Sequence, residues 1–206
     1  MEQEGTGCGL KPSCEARFEP VVRAVEKMAS DEEKRQILIA IDGKCGSGKT
    51  TLGYYLRQRF GGNLFHMDDF FLQNAQRTQE RLAEVGGNVD YERFREEVLK
   101  PLAAGEIITY RPFDCKRREI VGAVQMKPER INIIEGSYSQ HPYFGQPYDL
   151  KVFMEISKQD QYTNIERRNG TAQLEVFRTC WIPKEMAYFE KFEIKERSDM
   201  IISFTS

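Results

Sequence analysis

Gly43-Lys44-Cys45-Gly46-Ser47-Gly48-Lys49-Thr50 sets a lysine and a hydroxyl behind spaced glycines, matching G-x-x-x-x-G-K-[ST] in full. Glycines at those positions let successive backbone N–H groups turn inward, which makes an anion nest at a helix N-terminus. Lys49 is placed to reach the β- and γ-phosphates of a nucleoside triphosphate, and the Thr50 hydroxyl to hold Mg²⁺. The expected nucleotide contacts are Gly43, Lys44, Cys45, Gly46, Ser47, Gly48, Lys49, Thr50 and Thr51. Two carboxylates follow at the ends of apolar segments. Asp68, in Phe65-His66-Met67-Asp68-Asp69-Phe70-Phe71, could accept the proton of an attacking hydroxyl or hold Mg²⁺ through water. Glu135, closing Ile131-Asn132-Ile133-Ile134, could engage the Mg²⁺ shell or a substrate hydroxyl. Asp69 reads as a cap or a support for Asp68.

The phosphate cradle implies triphosphate binding, and absent motifs narrow the reaction. No N-K-x-D base reader of a GTPase occurs, and no L-S-G-G-Q signature of a transporter ATPase. Ile131-Asn132-Ile133-Ile134-Glu135-Gly136 carries one acid where motor and remodelling ATPases carry Asp-Glu. A kinase for a small molecule remains. Arg167-Arg168-Asn169-Gly170 ends a predicted helix, where a mobile lid would bring Arg168 onto the phosphates; Arg167 and Arg178 are further candidates. Cations at a helix C-terminus also favour the helix dipole without any function.

The elements that must position these groups alternate. Val21, Val22, Val25 and Met28 predict an amphipathic helix from about Phe18. The run Ile37-Leu38-Ile39-Ala40-Ile41 predicts a strand buried on both faces, followed by the cradle and a helix from Thr51. Further strands are expected at residues 63–67, 107–110, 131–134, 151–156 and 200–202. Helices are expected at 91–102, 160–168 and 184–192. This alternation predicts an α/β layered fold of the P-loop NTPase kind, a mainly parallel sheet flanked by helices, with a small arginine-bearing lid. Residues 1–16, with Gly5, Gly7, Gly9 and Pro12, read as a flexible lead-in, and residues 17–206 as one domain.

Composition excludes several classes. Thirty Lys+Arg against 32 Asp+Glu give a net charge of −2, with no global pull toward nucleic acid or an anionic membrane. The longest apolar run is far shorter than the roughly 20 residues that span a bilayer. Met1-Glu2-Gln3-Glu4 is unlike the basic start of a secretory signal. Five cysteines without C-x-x-C spacing and two histidines predict free thiols, no imidazole-built metal site and a cytoplasmic setting. His66 and His141 read as packing or loop residues.

Several segments together resemble the uridine kinase branch of P-loop kinases, which includes phosphoribulokinase, bacterial pantothenate kinase and nicotinamide riboside kinase. They are Ile41-Asp42-Gly43 with the cradle, Met67-Asp68-Asp69-Phe70-Phe71, Asn88-Val89-Asp90-Tyr91, Phe113-Asp114, Ile134-Glu135-Gly136 and Arg168-Asn169-Gly170. Gly136-Ser137-Tyr138-Ser139, His141-Pro142 and Trp181-Ile182-Pro183 bring the likeness nearest to bacterial uridine kinase-like proteins. The resemblance implies phosphorylation of a primary alcohol by ATP or GTP with Mg²⁺, typically at a ribose 5′-hydroxyl. It makes Asp68 the catalytic acid–base group, Asp90 a ribose contact and Phe113 part of the frame around the base. By its residues alone, Asp90 reads equally as an N-cap. Uridine kinases carry a His shortly after the aromatic–acid pair; this chain has Cys115-Lys116-Arg117-Arg118 instead, and Met67-Asp68-Asp69 is closer to nicotinamide riboside kinases. A vitamin-type alcohol such as nicotinamide riboside or pantothenate is therefore an alternative acceptor, and a nucleotide-binding regulator without transfer activity an alternative role. Arg111, Lys116, Arg117 and Arg118 either meet an anionic substrate or form a solvated face.

Overall fold

The computed structural model describes residues 12–204. Helix α1 spans Pro12–Ala29, starting earlier than the apolar spacing suggested; residues 1–11 of the expected lead-in lie outside the described residues. Strand β1 (Ile37–Gly43) is buried along its whole length, as a β-branched run without alternation requires. Helix α2 (Lys49–Phe60) follows the cradle, then β2 (Asn63–His66), β7 (Ile131–Glu135), β8 (Leu150–Ile156) and β9 (Met200–Phe204) complete the central sheet. The order is β2-β7-β1-β8-β9, and every pairing is parallel. This is the expected α/β architecture.

Pleating divides the core into two layers. Ile37, Ile39 and Ile41 of β1 face one side with Val152 and Met154, packed under α1 and α2 through Phe18, Val21, Val22, Val25, Leu52 and Leu56. Leu38, Ile134 and Phe153 point to the other side, where Phe94, Val98, Tyr188 and Phe189 cover them. Burying a side chain of this size stabilises by about 1.5–3 kcal/mol, so both layers are needed to hold the sheet flat against its helices.

Between β2 and β7 the chain builds the cap of the site. A 3₁₀ turn (Met67–Phe70) leads through α3 (Gln79–Ala83) to α4 (Tyr91–Phe94), a π turn (Arg95–Leu99) and α5 (Lys100–Ala104). The expected strand near 107–110 exists as β3 (Ile108–Tyr110), but it leaves the central sheet and pairs antiparallel with β6 (Val124–Met126). Nested inside are β4 (Phe113–Asp114) and β5 (Glu119–Ile120), also antiparallel. Downstream, α6 (Lys158–Asn169), α7 (Thr171–Val176), a π turn (Phe177–Trp181) and α8 (Ile182–Phe192) precede β9. No helix among the described residues is long and apolar enough to cross a membrane. Cys45, Cys115 and Cys180 are free thiols.

Candidate active site

Parallel pairing brings the C-terminal ends of β1, β2 and β7 to one edge, and with them the cradle, His66 and Glu135. The register makes this explicit, since Glu135 is the partner of Ile41 on one side and of His66 on the other. Gly43 has φ +130, and a Cβ there would lie 2.2 Å from the Met154 carbonyl oxygen, so the first cradle position admits only glycine. Gly48, at φ +96, opens α2 without a side-chain cap, leaving the first amides of the helix to face the loop.

Lys49 is buried, and its Nζ donates to the carbonyls of Gly43 (2.6 Å) and Lys44 (3.0 Å), which fixes the ammonium over the loop. The Lys44 side chain turns away, paired with Glu155 and donating to the Ile156 carbonyl, so only its backbone belongs to the cradle. Gly46 offers its carbonyl to Asn164 Nδ2 at 3.0 Å, and Ser47 is buried with its hydroxyl unpartnered. Thr51 is exposed on the first turn of α2. Cys45 is buried; Gln161 Nε2 donates to its carbonyl (3.0 Å) and to its Sγ (3.2 Å), and burial pushes the thiol far up, with Glu185 adding to the effect. The cradle is thus tied to α6 at two points, through Gln161 and Asn164.

Thr50 Oγ1 lies 3.1 Å and 3.2 Å from the two Glu135 oxygens. His66 Nδ1 is 2.5 Å from Glu135 Oε1. Burial would lower the His66 pKa, but the hydrogen bond and charge of Glu135, with Asp69 and Asp68 beyond, raise it above the ordinary histidine value. Sequence reasoning gave His66 to packing; the β2–β7 register could have exposed this pairing. Two hard oxygens side by side at the lysine end of the cradle suit Mg²⁺. Among the described residues no group of three or more His, Cys, Asp or Glu side chains could hold a metal ion.

Asp68, on the 3₁₀ turn after β2, is open to solvent along one side yet closely surrounded by protein on the other. That desolvation raises its pKa, Glu135 raises it further, and Lys49, His66 and Arg168 pull it back. Asp68, Glu135, Lys49 and Arg168 therefore share one electrostatic environment. Arg168 sits exposed in the last turn of α6, its Nε donating to Asn169 Oδ1 at 2.8 Å. Arg167 reaches Asn164, and Arg178 pairs with Glu175 on the surface. Asp69 also has a raised pKa from burial, and its carbonyl accepts from Arg93 Nη2 at 2.9 Å.

Asp90 is 3% exposed and heavily engaged. Its Oδ1 caps α4 by accepting from Arg93 N (3.1 Å), while Oδ2 accepts from Gln76 Nε2 (2.8 Å) and Arg93 Nε (3.2 Å). A cavity of about 400 Å³ opens beside it, lined by Leu72, Gln76, Arg81 and Glu92 among others. Phe113 is buried in β4, which packs on the 3₁₀ turn carrying Asp68. The β4–β5 turn stays near that acid, because Asp68 contributes, after burial, to a raised Cys115 thiol pKa. Arg111 pairs with Glu97, and Asp114 accepts the Lys116 and Arg117 amides, shaping the turn.

No family model matches this chain. Solved structures do. A candidate fructose transport system kinase from Silicibacter sp. TM1040 superposes with a TM-score of 0.70 at 22% identity, covering 89% of this chain and 98% of that one. A possible uridine kinase from Bacillus stearothermophilus gives 0.64 at 21% identity over 92% and 99%. D-glycerate 3-kinase from Cryptococcus neoformans gives 0.61 at 14% identity over 85% and 88%. The chain has the fold of P-loop small-molecule kinases.

Proposed function

We propose that this protein is a single-domain cytoplasmic kinase that moves the γ-phosphoryl group of ATP to a primary hydroxyl of a small molecule. The observation that carries the reading is the phosphate cradle, with the buried Lys49 ammonium held over it and Thr50 set against Glu135 at its end. The acceptor oxygen attacks the γ-phosphorus, the bond to the β–γ bridging oxygen breaks, and ADP leaves. Asp68 takes the hydroxyl proton; its raised pKa makes it a stronger base than an ordinary aspartate. Lys49 and, once α6–α7 closes as a lid, Arg168 offset charge on the equatorial oxygens. Thr50 and Glu135 would hold Mg²⁺, which supplies further charge neutralisation on the phosphates.

Asp90 and Phe113 then act mainly by shaping the acceptor side, since the Asp90 carboxylate already serves Gln76, Arg93 and the start of α4. A nucleoside such as uridine is the acceptor favoured by the resemblance, with nicotinamide riboside or pantothenate next. The test is ADP release from Mg·ATP against uridine, cytidine, nicotinamide riboside, D-fructose, pantothenate and D-glycerate, with Asp68→Asn as the blank. Turnover of one acceptor, lost in the variant, supports the reading. Bound ATP with no ADP formed from any acceptor favours a regulator instead.

A further inference from the structure

Helix α6 has 12 residues, and its buried side chains are Gln161 and Ile165. A helix of this length is held mainly by the packing of an apolar face, and one isoleucine is a weak anchor. Docking therefore falls to two amides. Gln161 Nε2 donates to the Cys45 carbonyl at 3.0 Å and to its Sγ at 3.2 Å, and Asn164 Nδ2 donates to the Gly46 carbonyl at 3.0 Å. Asn164 Oδ1 accepts from Arg167 Nη2 at 3.4 Å, which sets the amide with its NH₂ end toward the loop.

The two gripped carbonyls belong to successive peptides of the cradle. In a trans peptide the C=O and N–H bonds point in opposite directions, and no cis bond occurs among the described residues. Holding the Cys45 carbonyl against α6 turns the Gly46 N–H away from the helix, toward the inside of the loop. Holding the Gly46 carbonyl does the same for the Ser47 N–H, which closes a turn onto the Lys44 carbonyl at 3.2 Å. That Lys44 oxygen also receives Lys49 Nζ at 3.0 Å, so clamp, turn and ammonium are linked. An anion nest depends on successive N–H groups facing one way, and the α6 amides set two of them. Residues 161, 164, 165 and 168 stand at i, i+3, i+4 and i+7, on one face of the helix. Arg168 thus rises from the face that grips the cradle, one turn beyond Asn164. Its motion is confined to the last turn of α6 and to α7.

We infer that Gln161 and Asn164 are positioning residues of the nucleotide site, which aim the cradle amides at the phosphates and hold α6 so that Arg168 is delivered to the γ-phosphate. Cradle and arginine act as one unit, and releasing α6 weakens both. The inference rests on the nucleotide-binding part of the kinase reading and is independent of the acceptor.

Calorimetric titration with Mg·ADP and with Mg·AMP-PNP, which carries a γ-phosphate but is not turned over, tests it. The proteins are wild type, Gln161→Met, Asn164→Leu, Arg168→Ala and the Asn164→Leu, Arg168→Ala double variant. Met and Leu keep the side-chain size and remove the donors; half-buried Asn164 carries the test where Gln161→Met fails to fold. The ADP Kd is expected to rise about fivefold in Asn164→Leu and further in Gln161→Met. Arg168→Ala is expected to leave ADP within about twofold and weaken AMP-PNP about tenfold. In the Asn164→Leu background the same change moves AMP-PNP by less than about twofold. Amides that serve stability alone would lower the melting temperature and move neither affinity. An unchanged ADP Kd in folded Asn164→Leu, an Arg168→Ala loss equal in both backgrounds, or no such loss in the wild type overturns the inference. Wild type that binds neither nucleotide overturns it as well. Binding without turnover of any acceptor removes the kinase reading and leaves these affinities to decide.

Discussion

Asp42 occupies the last buried position before the cradle and gathers four donors: Gly43 N (2.7 Å) and Tyr138 N (3.3 Å) on one oxygen, Gln140 N (3.0 Å) and the Tyr188 hydroxyl (2.9 Å) on the other. It therefore joins β1, the turn after β7 and α8. Complete burial raises its pKa to about 6 from 3.8, against the opposing pull of Gln140 N–H, the Lys49 charge, Gly43 N–H and Tyr188. The folded pKa lies above the unfolded one, so between the two values the folded state binds more protons and stability falls as pH rises. The shift corresponds to about 3 kcal/mol, lost from near pH 4 and fully gone above about pH 7. Other acids titrate in the same window, so the quantity to isolate is the difference between wild type and Asp42→Asn, which lacks the titration. Urea unfolding at intervals from pH 4 to pH 8 gives that difference. The variant is expected to gain on wild type by about 3 kcal/mol across the window. A flat difference, or one of opposite slope, would refute the reasoning.

Four further outcomes are expected. Lys49→Ala lowers kcat by on the order of a thousandfold, more than the roughly hundredfold expected for Asp68→Asn; equal or reversed losses contradict the weight given to charge stabilisation. Wild-type kcat falls on acidification through the raised Asp68 pKa, because only the carboxylate accepts a proton, and a pH profile of Asp68→Asn lacks that limb. Gly43→Ala drives a Cβ to 2.2 Å from the Met154 oxygen at φ +130, so denaturant unfolding should register a loss of about 4 kcal/mol or more, and an unchanged midpoint contradicts it. Asp90→Ala removes one of the two carboxylates beside the buried Arg93, Glu97 remaining at 3.7 Å, together with a helix cap, costing about 2–3 kcal/mol in the same assay while ATP affinity stays within about twofold.

The strand, the glycine loop and the helix after it were legible because their signals are local. A continuous apolar run, spaced glycines and a lysine–threonine pair define β1, the cradle and the start of α2 within fourteen consecutive residues, 37–50. The carboxylates Asp68 and Glu135 were readable as candidates for the same reason, Glu135 closing β7 and Asp68 lying two residues past the end of β2. What escaped was short or distant. Strands β4 and β5 hold two residues each, too few for any period to emerge, and β3 pairs outside the central sheet. The π turns at Arg95–Leu99 and Phe177–Trp181 each end two residues before a proline, Pro101 and Pro183, a signal that marks a helix irregularity but not its kind. Glu185 reaches Cys45 across 140 residues of sequence through the packing of α8, and His66 reaches Glu135 across 69 through the β2–β7 register. Asp90 sat at a position where capping and substrate contact share one signature, and its partners Gln76 and Arg93 became visible only in three dimensions.

The most direct measurement is the mass of the acceptor after incubation with Mg·ATP and the wild-type protein, beside Asp68→Asn and Lys49→Ala. Gain of a single phosphoryl group on one primary hydroxyl, with an equal amount of ADP and loss of both products in the two variants, is the expected result. Equal ADP release with the acceptor unmodified, or phosphorylation that survives in Lys49→Ala, would contradict the account.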